Sequence, residues 1–207
     1  MHDPTISTWN KVAGLYQEKF MDLTLYDESY DAFCTLIQKG SATILDVGCG
    51  PGNISRYLQR KQPGWKFYGV DAAANMIDLF LKNITDARAT VMDIRNIRSI
   101  DEQFDGITAG FCIPYLNSAD TLSLIHCFSE MLQPNGALYL SFVEGDPEKS
   151  GLVTGSTGDQ TYFYYHAEKD ILNALSAADF KLAANLKVEY KRSPESSETH
   201  TLLICSK

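Results

Sequence analysis

Ile44-Leu45-Asp46-Val47-Gly48-Cys49-Gly50-Pro51-Gly52-Asn53 starts as an apolar run with the length and flanks of a buried strand, then passes through three glycines into residues 54–60, which suit a helix. The order is strand, tight loop, helix start. A glycine has no Cβ, so the loop can take positive φ and a ligand can approach its main chain. The helix behind it presents free N–H groups. Asp46 ends the strand, an expensive place for a carboxylate unless it accepts hydrogen bonds from the loop or holds a cation. A glycine loop is also compatible with a plain turn, so the reading depends on the segments that follow.

Lys66-Phe67-Tyr68-Gly69-Val70-Asp71 is a second apolar strand, ending in an acid about twenty residues after the loop, the position from which nucleotide-binding sheets hold a ribose diol. Together the two segments leave dinucleotide binding and adenosyl binding open. The dinucleotide fingerprint Gly-x-Gly-x-x-Gly requires a small last residue for close helix packing. Asn53 stands there instead, which argues against a nicotinamide oxidoreductase.

Leu45 to Gly52 resembles the first motif of class I S-adenosylmethionine-dependent methyltransferases, and Val70-Asp71-Ala72 through Met76 resembles the second. Met92-Asp93-Ile94 is similar to the third, and Phe104-Asp105-Gly106-Ile107 through Leu116 to the fourth. Leu132-Gln133-Pro134-Asn135-Gly136-Ala137-Leu138 is similar to the turn before the family's fifth strand, with Asn135 replacing a glycine. The resemblance covers residues 44–142. It implies an α/β, Rossmann-like fold: a mostly parallel seven-stranded sheet with an antiparallel C-terminal hairpin strand and helices on both faces. It also implies S-adenosylmethionine as cofactor, with S-adenosylhomocysteine as product. The cofactor set it points to is Tyr16, Asp46, Gly48, Cys49, Gly50, Gly52, Asp71, Ala72, Met76, Asp93, Ile94 and Phe111. Within that set, Tyr16 reaches the methionine carboxylate, Asp93 accepts from the adenine amino group, and Ile94 and Met76 pack on the ring. Asp93 also reads as a turn cap before Asn96, and Met76 as ordinary core.

Composition bounds the function further. A chain of 207 residues, 44% of them hydrophobic, fits one domain, residues 1–207, with a single sizeable core. A separate substrate domain has no room. The formal charge is −8 and the pI about 4.9, so the global field repels phosphate backbones and argues against nucleic acid as substrate. Five scattered cysteines without a Cys-x-x-Cys pair suit reduced thiols and a cytoplasmic protein. Neither a leader nor an eighteen-residue apolar run is present, so no membrane partner is expected. His2, His126, His166 and His200 lack zinc-site spacing, and no metal is expected.

The remaining segments supply the surroundings of the site. Residues 7–20 and 26–39 carry apolar residues at helical spacing and read as N-terminal capping helices, within residues 1–40. Helices are expected at 75–83, 118–132 and 167–178, and strands at 89–94, 104–111, 137–143, 180–190 and 198–205. Residues 191–197 form a polar loop joining the last two. Cys112-Ile113-Pro114-Tyr115 keeps only the Pro-Tyr of the Asn/Asp-Pro-Pro-Tyr motif of some nitrogen methyltransferases, and Tyr115 is a candidate substrate-pocket residue. Residues 144–160 read as a long loop, which together with 161–166 makes a lid over residues 144–166. Strand alternation puts Tyr162, Tyr164 and His166 on one face and Phe163 and Tyr165 on the other, so one face would line the pocket. If the acceptor needs a general base, His166 or a tyrosine of the cluster is the candidate. The expected activity is methyl transfer to a small molecule at oxygen or nitrogen. The alternative is a protein that binds S-adenosylmethionine or S-adenosylhomocysteine and regulates a partner without turnover.

Overall fold

The strand expected from residue 44 is β1 (Thr43–Val47), and the glycine loop leads from it into helix α3 (Asn53–Lys61). The structure is a computed structural model that describes residues 4–193 and 196–207. His2 and residues 194 and 195 of the expected 191–197 loop lie outside the described residues. Two helices, α1 (Thr5–Phe20) and α2 (Asp27–Leu36), precede the sheet. After α3 come β2 (Lys66–Asp71), α4 (Ala74–Asn83), β3 (Arg88–Val91), β4 (Phe104–Gly110), α5 (Ser118–Met131) and β5 (Leu132–Val143). The chain continues through β6 (Gly151–Thr154), β7 (Gln160–Phe163), α6 (Glu168–Ala177), β8 (Lys181–Ser193) and β9 (Ser196–Ser206).

Seven strands form one sheet in the order β3-β2-β1-β4-β5-β9-β8. The pairings from β3 through β5 are parallel, and β9 runs antiparallel to both β5 and β8. The order reverses between β1 and β4. At such a switch point, beyond the carboxyl ends of the strands, an open sheet leaves a crevice.

Alternation along the strands sends side chains into two cores. Leu45 and Val47 of β1, with Leu203 and Cys205 of β9, pack toward Ile125 and Phe128 of α5 and Ile171 and Leu175 of α6. Ile44, Leu202 and Ile204 pack on the other face with Phe33 of α2, Leu58 of α3 and Phe80 of α4. Each such buried Leu, Ile or Phe contributes about 1.5–3 kcal/mol of transfer free energy, so both faces of the sheet need helical cover.

The antiparallel hairpin lies at one side of the sheet as expected, with β9 inside and β8 at the edge; the residues explain this, because Leu202 to Cys205 are fully buried whereas residues 185–190 of β8 alternate exposed polar with half-buried positions. Two segments differ from the sequence reading. Ile94 leaves β3 and begins a 3₁₀ turn, Ile94–Ser99, capped by the Asp93 carboxylate on the Arg95 N–H. The expected loop 144–160 holds a short 3₁₀ turn and the antiparallel hairpin β6–β7, paired from Gly151↔Phe163 to Thr154↔Gln160. The hairpin closes through Gly155 N–H to Asp159 O at 2.8 Å, with Gly158 at φ +80°.

Candidate active site

The glycine loop is built on hydrogen bonds from its own neighbours. Cys49 N–H donates to Val70 O of β2 at 3.0 Å, and Gly52 N–H turns back to Cys49 O at 3.0 Å. Gly48 sits at φ +64°, and a Cβ there would lie 2.6 Å from Cys112 Cβ, so only glycine lets the loop pass this close to the end of β4.

Asp71 is held by the same loop. Gly50 N–H donates to its Oδ2 at 3.0 Å and Ala73 N–H to its Oδ1 at 2.8 Å. These bonds fix the carboxylate plane and leave each oxygen a further lone pair. Burial raises the Asp71 pKa, opposed by the two N–H bonds. Asp46 is 2% exposed and accepts from Ser55 Oγ at 2.5 Å and Thr108 Oγ1 at 2.9 Å. The partners are thus a helix and a neighbouring strand, where the sequence had suggested the loop. Burial pushes its pKa up to about 6, against the pull of those two hydroxyls.

Beyond the strand ends lies a cavity of about 790 Å³, toward the upper end of the roughly 300–1,000 Å³ of small-molecule sites. Asp46, Gly48, Cys49, Gly50, Asp71, Ala72 and Met76 line it, as do Asp93, Ile94, Phe111 and Tyr115. Tyr16 covers the loop: a Cβ on Gly50 would lie 3.8 Å from its Cε1. Burial, and then the Asp71 carboxylate, pushes its pKa up to about 12, so at neutral pH the phenol is a donor. Burial likewise holds the Cys49 thiol protonated and pushes Cys112 up to about 12, so neither is a nucleophile near neutral pH. Asp93 lines the cavity and also caps its turn, pairing with Arg95 Nη1 at 3.0 Å.

Two candidates lie elsewhere. Gly52 starts α3 at φ +92°, and a Cβ on it would meet Ile84 at 3.1 Å and Phe80 at 3.2 Å; it serves the packing beneath the loop. His166 is 4% exposed and its Nε2 bonds Ile113 O at 2.9 Å. The strand alternation that would have placed it on a face ends at Phe163, where Tyr164 N–H turns to Pro114 O at 2.7 Å. Burial lowers the His166 pKa, and the residue does not line the cavity. Phe163 and Tyr165, the opposite face, do.

The far end of the cavity is aromatic, and sequence reasoning missed most of it. Tyr26 and Tyr30 come from the start of α2, Tyr190 from β8, and Glu198 and His200 from β9. The sequence offers only that Glu198 and His200 are two apart on one expected strand and share a face; the pairing of Tyr190 with Glu198 across the ladder and the contact of His200 with Tyr26 come from the fold. Phe111 bridges the two ends at φ +54°, an unusual conformation for a phenylalanine, held by its N–H donating to Ser141.

A methyltransferase-domain family model matches residues 44–136. The malonyl-[acyl-carrier protein] O-methyltransferase of Priestia megaterium is 30% identical over 169 residues, 73% of this chain and 61% of that protein. Residues 44–136 are a methyltransferase domain of the class I S-adenosylmethionine-dependent type. The chain is also 26% identical to the tRNA N(3)-methylcytidine methyltransferase of Schizosaccharomyces pombe, over 84% of the chain and 79% of that protein. It spans 49% and 60% of the length of two further curated methyltransferases. In fold it is similar to the 1,6-didemethyltoxoflavin-N1-methyltransferase of Burkholderia thailandensis, with TM-score 0.71 and 18% identity over 97% of this chain and 86% of that one.

The cavity fits the cofactor this family uses. Asp71 lines the cavity beside the glycine loop, and Trp9 Nε1, a buried donor in the cavity wall, has no hydrogen-bond partner among the described residues. Such an unmet donor is costly unless a ligand meets it.

Proposed function

We propose that this protein transfers a methyl group from S-adenosylmethionine to a small-molecule acceptor at oxygen or nitrogen. The observation that carries this reading is the Asp71 carboxylate, pinned by Gly50 and Ala73 N–H at the carboxyl end of β2 and opening into one cavity with Asp93, Met76 and the aromatic far end. Asp71 would accept from a ribose diol, Tyr16 would donate to the methionine carboxylate, and Met76 and Ile94 would cover the adenine faces with Asp93 at its edge. Bound there, S-adenosylmethionine supplies a methyl group already activated by its sulfonium, so the protein chiefly aligns the acceptor and excludes water. Helix α1 and the hairpin β6–β7 supply the exclusion: Thr8 Oγ1 donates to Gln160 O at 2.7 Å and Tyr162 N–H to Thr5 Oγ1 at 2.9 Å.

The formal charge of −8 favours a small molecule over a polyanion, and five free thiols, four of them buried, suit a reducing, cytoplasmic setting. No described helix is long and apolar enough to cross a membrane. Calorimetry with S-adenosylhomocysteine and with NAD tests the cofactor, and a labelled-methyl screen of metabolite extracts tests turnover. We expect S-adenosylhomocysteine alone to bind, and Asp71→Asn to weaken it about ten- to hundredfold, the roughly 1.5–3 kcal/mol of a charge-assisted hydrogen bond. Binding of NAD alone, or undiminished binding by the variant, would overturn the assignment; binding without any labelled product would favour a regulatory, non-catalytic protein.

A further inference from the structure

At the far end of the cavity, Tyr26 Oη lies 2.7 Å from His200 Nδ1, and His200 Nε2 lies 3.9 Å from Glu198 Oε2. The other Glu198 oxygen accepts from Arg192 Nη1 at 2.6 Å. Glu198 and His200 are neighbours on one face of β9 and Tyr26 comes from the start of α2, and all three line the cavity. The imidazole is fixed in place: Tyr190 stacks on it at 5.0 Å and 12°, Phe111 packs at 4.8 Å, and the residue is 6% exposed. Phe111 also touches Tyr26, at 5.3 Å between ring centres, so the group sits one ring away from the carboxyl end of β4.

Resting on the methyltransferase reading, we propose that Tyr26, His200 and Glu198 form a proton relay that deprotonates a hydroxylated aromatic acceptor. The hydrogen-bond partners set the direction. A phenol donating to Nδ1 leaves the ring proton on Nε2, where it faces the Glu198 carboxylate. The acceptor O–H gives its proton to Tyr26 Oη while the Tyr26 phenolic proton passes to His200 Nδ1, and an imidazolium forms beside Glu198. The electron pair of the broken O–H bond stays on the acceptor oxygen and forms the new O–CH₃ bond, while the pair of the methyl–sulfur bond leaves with sulfur. Tyr26 is the catalytic residue, and His200 and Glu198 are positioning residues acting through it.

The surroundings suit this role and this substrate class. The His200 imidazole beside it, followed by Arg192, holds the Glu198 carboxyl below the usual range, so a carboxylate is in place to meet the imidazolium. Burial raises the Tyr26 pKa, so the phenol is protonated at neutral pH and relays a proton only because His200 accepts one. The titratable and charged groups around the imidazole are Glu198 on its own strand, Tyr190 and Arg192 on β8, Tyr26 and Tyr30 at α2, and Tyr139 on β5. The walls are rings, which fit a planar aromatic acceptor. A hydroxyl, unlike a neutral amine, must lose its proton to become a good nucleophile.

The test uses the whole protein saturated with S-adenosylhomocysteine, and 4-nitrophenol, whose phenolate is yellow, as the acceptor probe. We expect the bound probe to ionise at least about one pH unit, or tenfold in proton concentration, below the free probe. Tyr26→Phe and His200→Gln return the bound probe to the free midpoint, and Glu198→Gln does so in part, with S-adenosylhomocysteine affinity unchanged as the control for folding. In the unsubstituted protein, ¹⁵N NMR should find His200 with its proton on Nε2, and Tyr26→Phe should mix the tautomers. The proposal is overturned by a bound probe with the free midpoint, by failure of the probe to bind, by a shift that survives both substitutions, or by a proton on Nδ1. Failure to bind S-adenosylhomocysteine is measured first and sinks the underlying reading, and the relay with it.

Discussion

Asp46 is buried at the floor of the cavity, and two hydroxyls compensate only in part, so its pKa of about 6 lies above the ordinary value of about 3.9. An acid shifted upward contributes stability that is complete below about pH 4 and lost as pH rises through about 6. The difference corresponds to at most about 3 kcal/mol. Asp46→Asn removes this titration, so the Tm of wild type relative to the variant should be higher at pH 4.5 than at pH 7.5. A gap between the two proteins that does not change with pH would show that the carboxylate is ionised throughout. Asp46 and Asp71 were legible in the sequence because each ends an apolar strand, where a carboxylate needs a reason. His200 and Tyr26 were not, because their significance is a contact across 174 positions that no local pattern encodes.

Helix α1 and the hairpin β6–β7 cover the cavity from two sides and hold each other through few bonds, chiefly Thr5, Thr8 and a Lys11–Asp159 ion pair. The ion pair is exposed on the lysine side and contributes little. The bond from Tyr162 N–H to the buried Thr5 hydroxyl matters more, since its loss strands a donor beneath the cap. Thr5→Val should therefore raise opening of the cap about tenfold, the roughly 1–3 kcal/mol of an unsatisfied group, with little change in Tm. Hydrogen exchange at residues 160–165 reads this directly, and unchanged protection there would mean that the cap is held by its apolar contacts. The first strand of the hairpin, β6, escaped sequence reading because it is four residues long and Leu152 is 51% exposed, leaving too little alternation to separate strand from loop. By contrast, β1, β2 and β4 read clearly because burial on both faces demands unbroken apolar runs. The same rule explains why Leu202 to Cys205 put β9 inside the sheet.

For the whole molecule, the open question is whether the acceptor is a small molecule or a nucleic acid, since a relative of this chain is named for tRNA methylation. Charge argues for the small molecule. The chain carries 26 acidic against 18 basic residues, so its far field repels a polyanion. Six cations do line the cavity, Lys19, Arg56, Arg60, Lys61, Arg95 and Arg192. Four of these are matched by carboxylates: Arg56 by Asp22, Lys61 by Asp31, Arg95 by Asp93 and Asp120, and Arg192 by Glu198. Matched pairs release few counterions on meeting a phosphate backbone, and counterion release is what makes nucleic-acid binding strong at low salt. Fluorescence anisotropy of labelled bulk tRNA should accordingly give no saturable binding at about 50 mM salt, a condition that favours such contacts, with or without S-adenosylhomocysteine. Saturable binding that weakens steeply with salt would mean that the cations of the mouth act together despite their partners, and would move the acceptor from a small molecule to RNA.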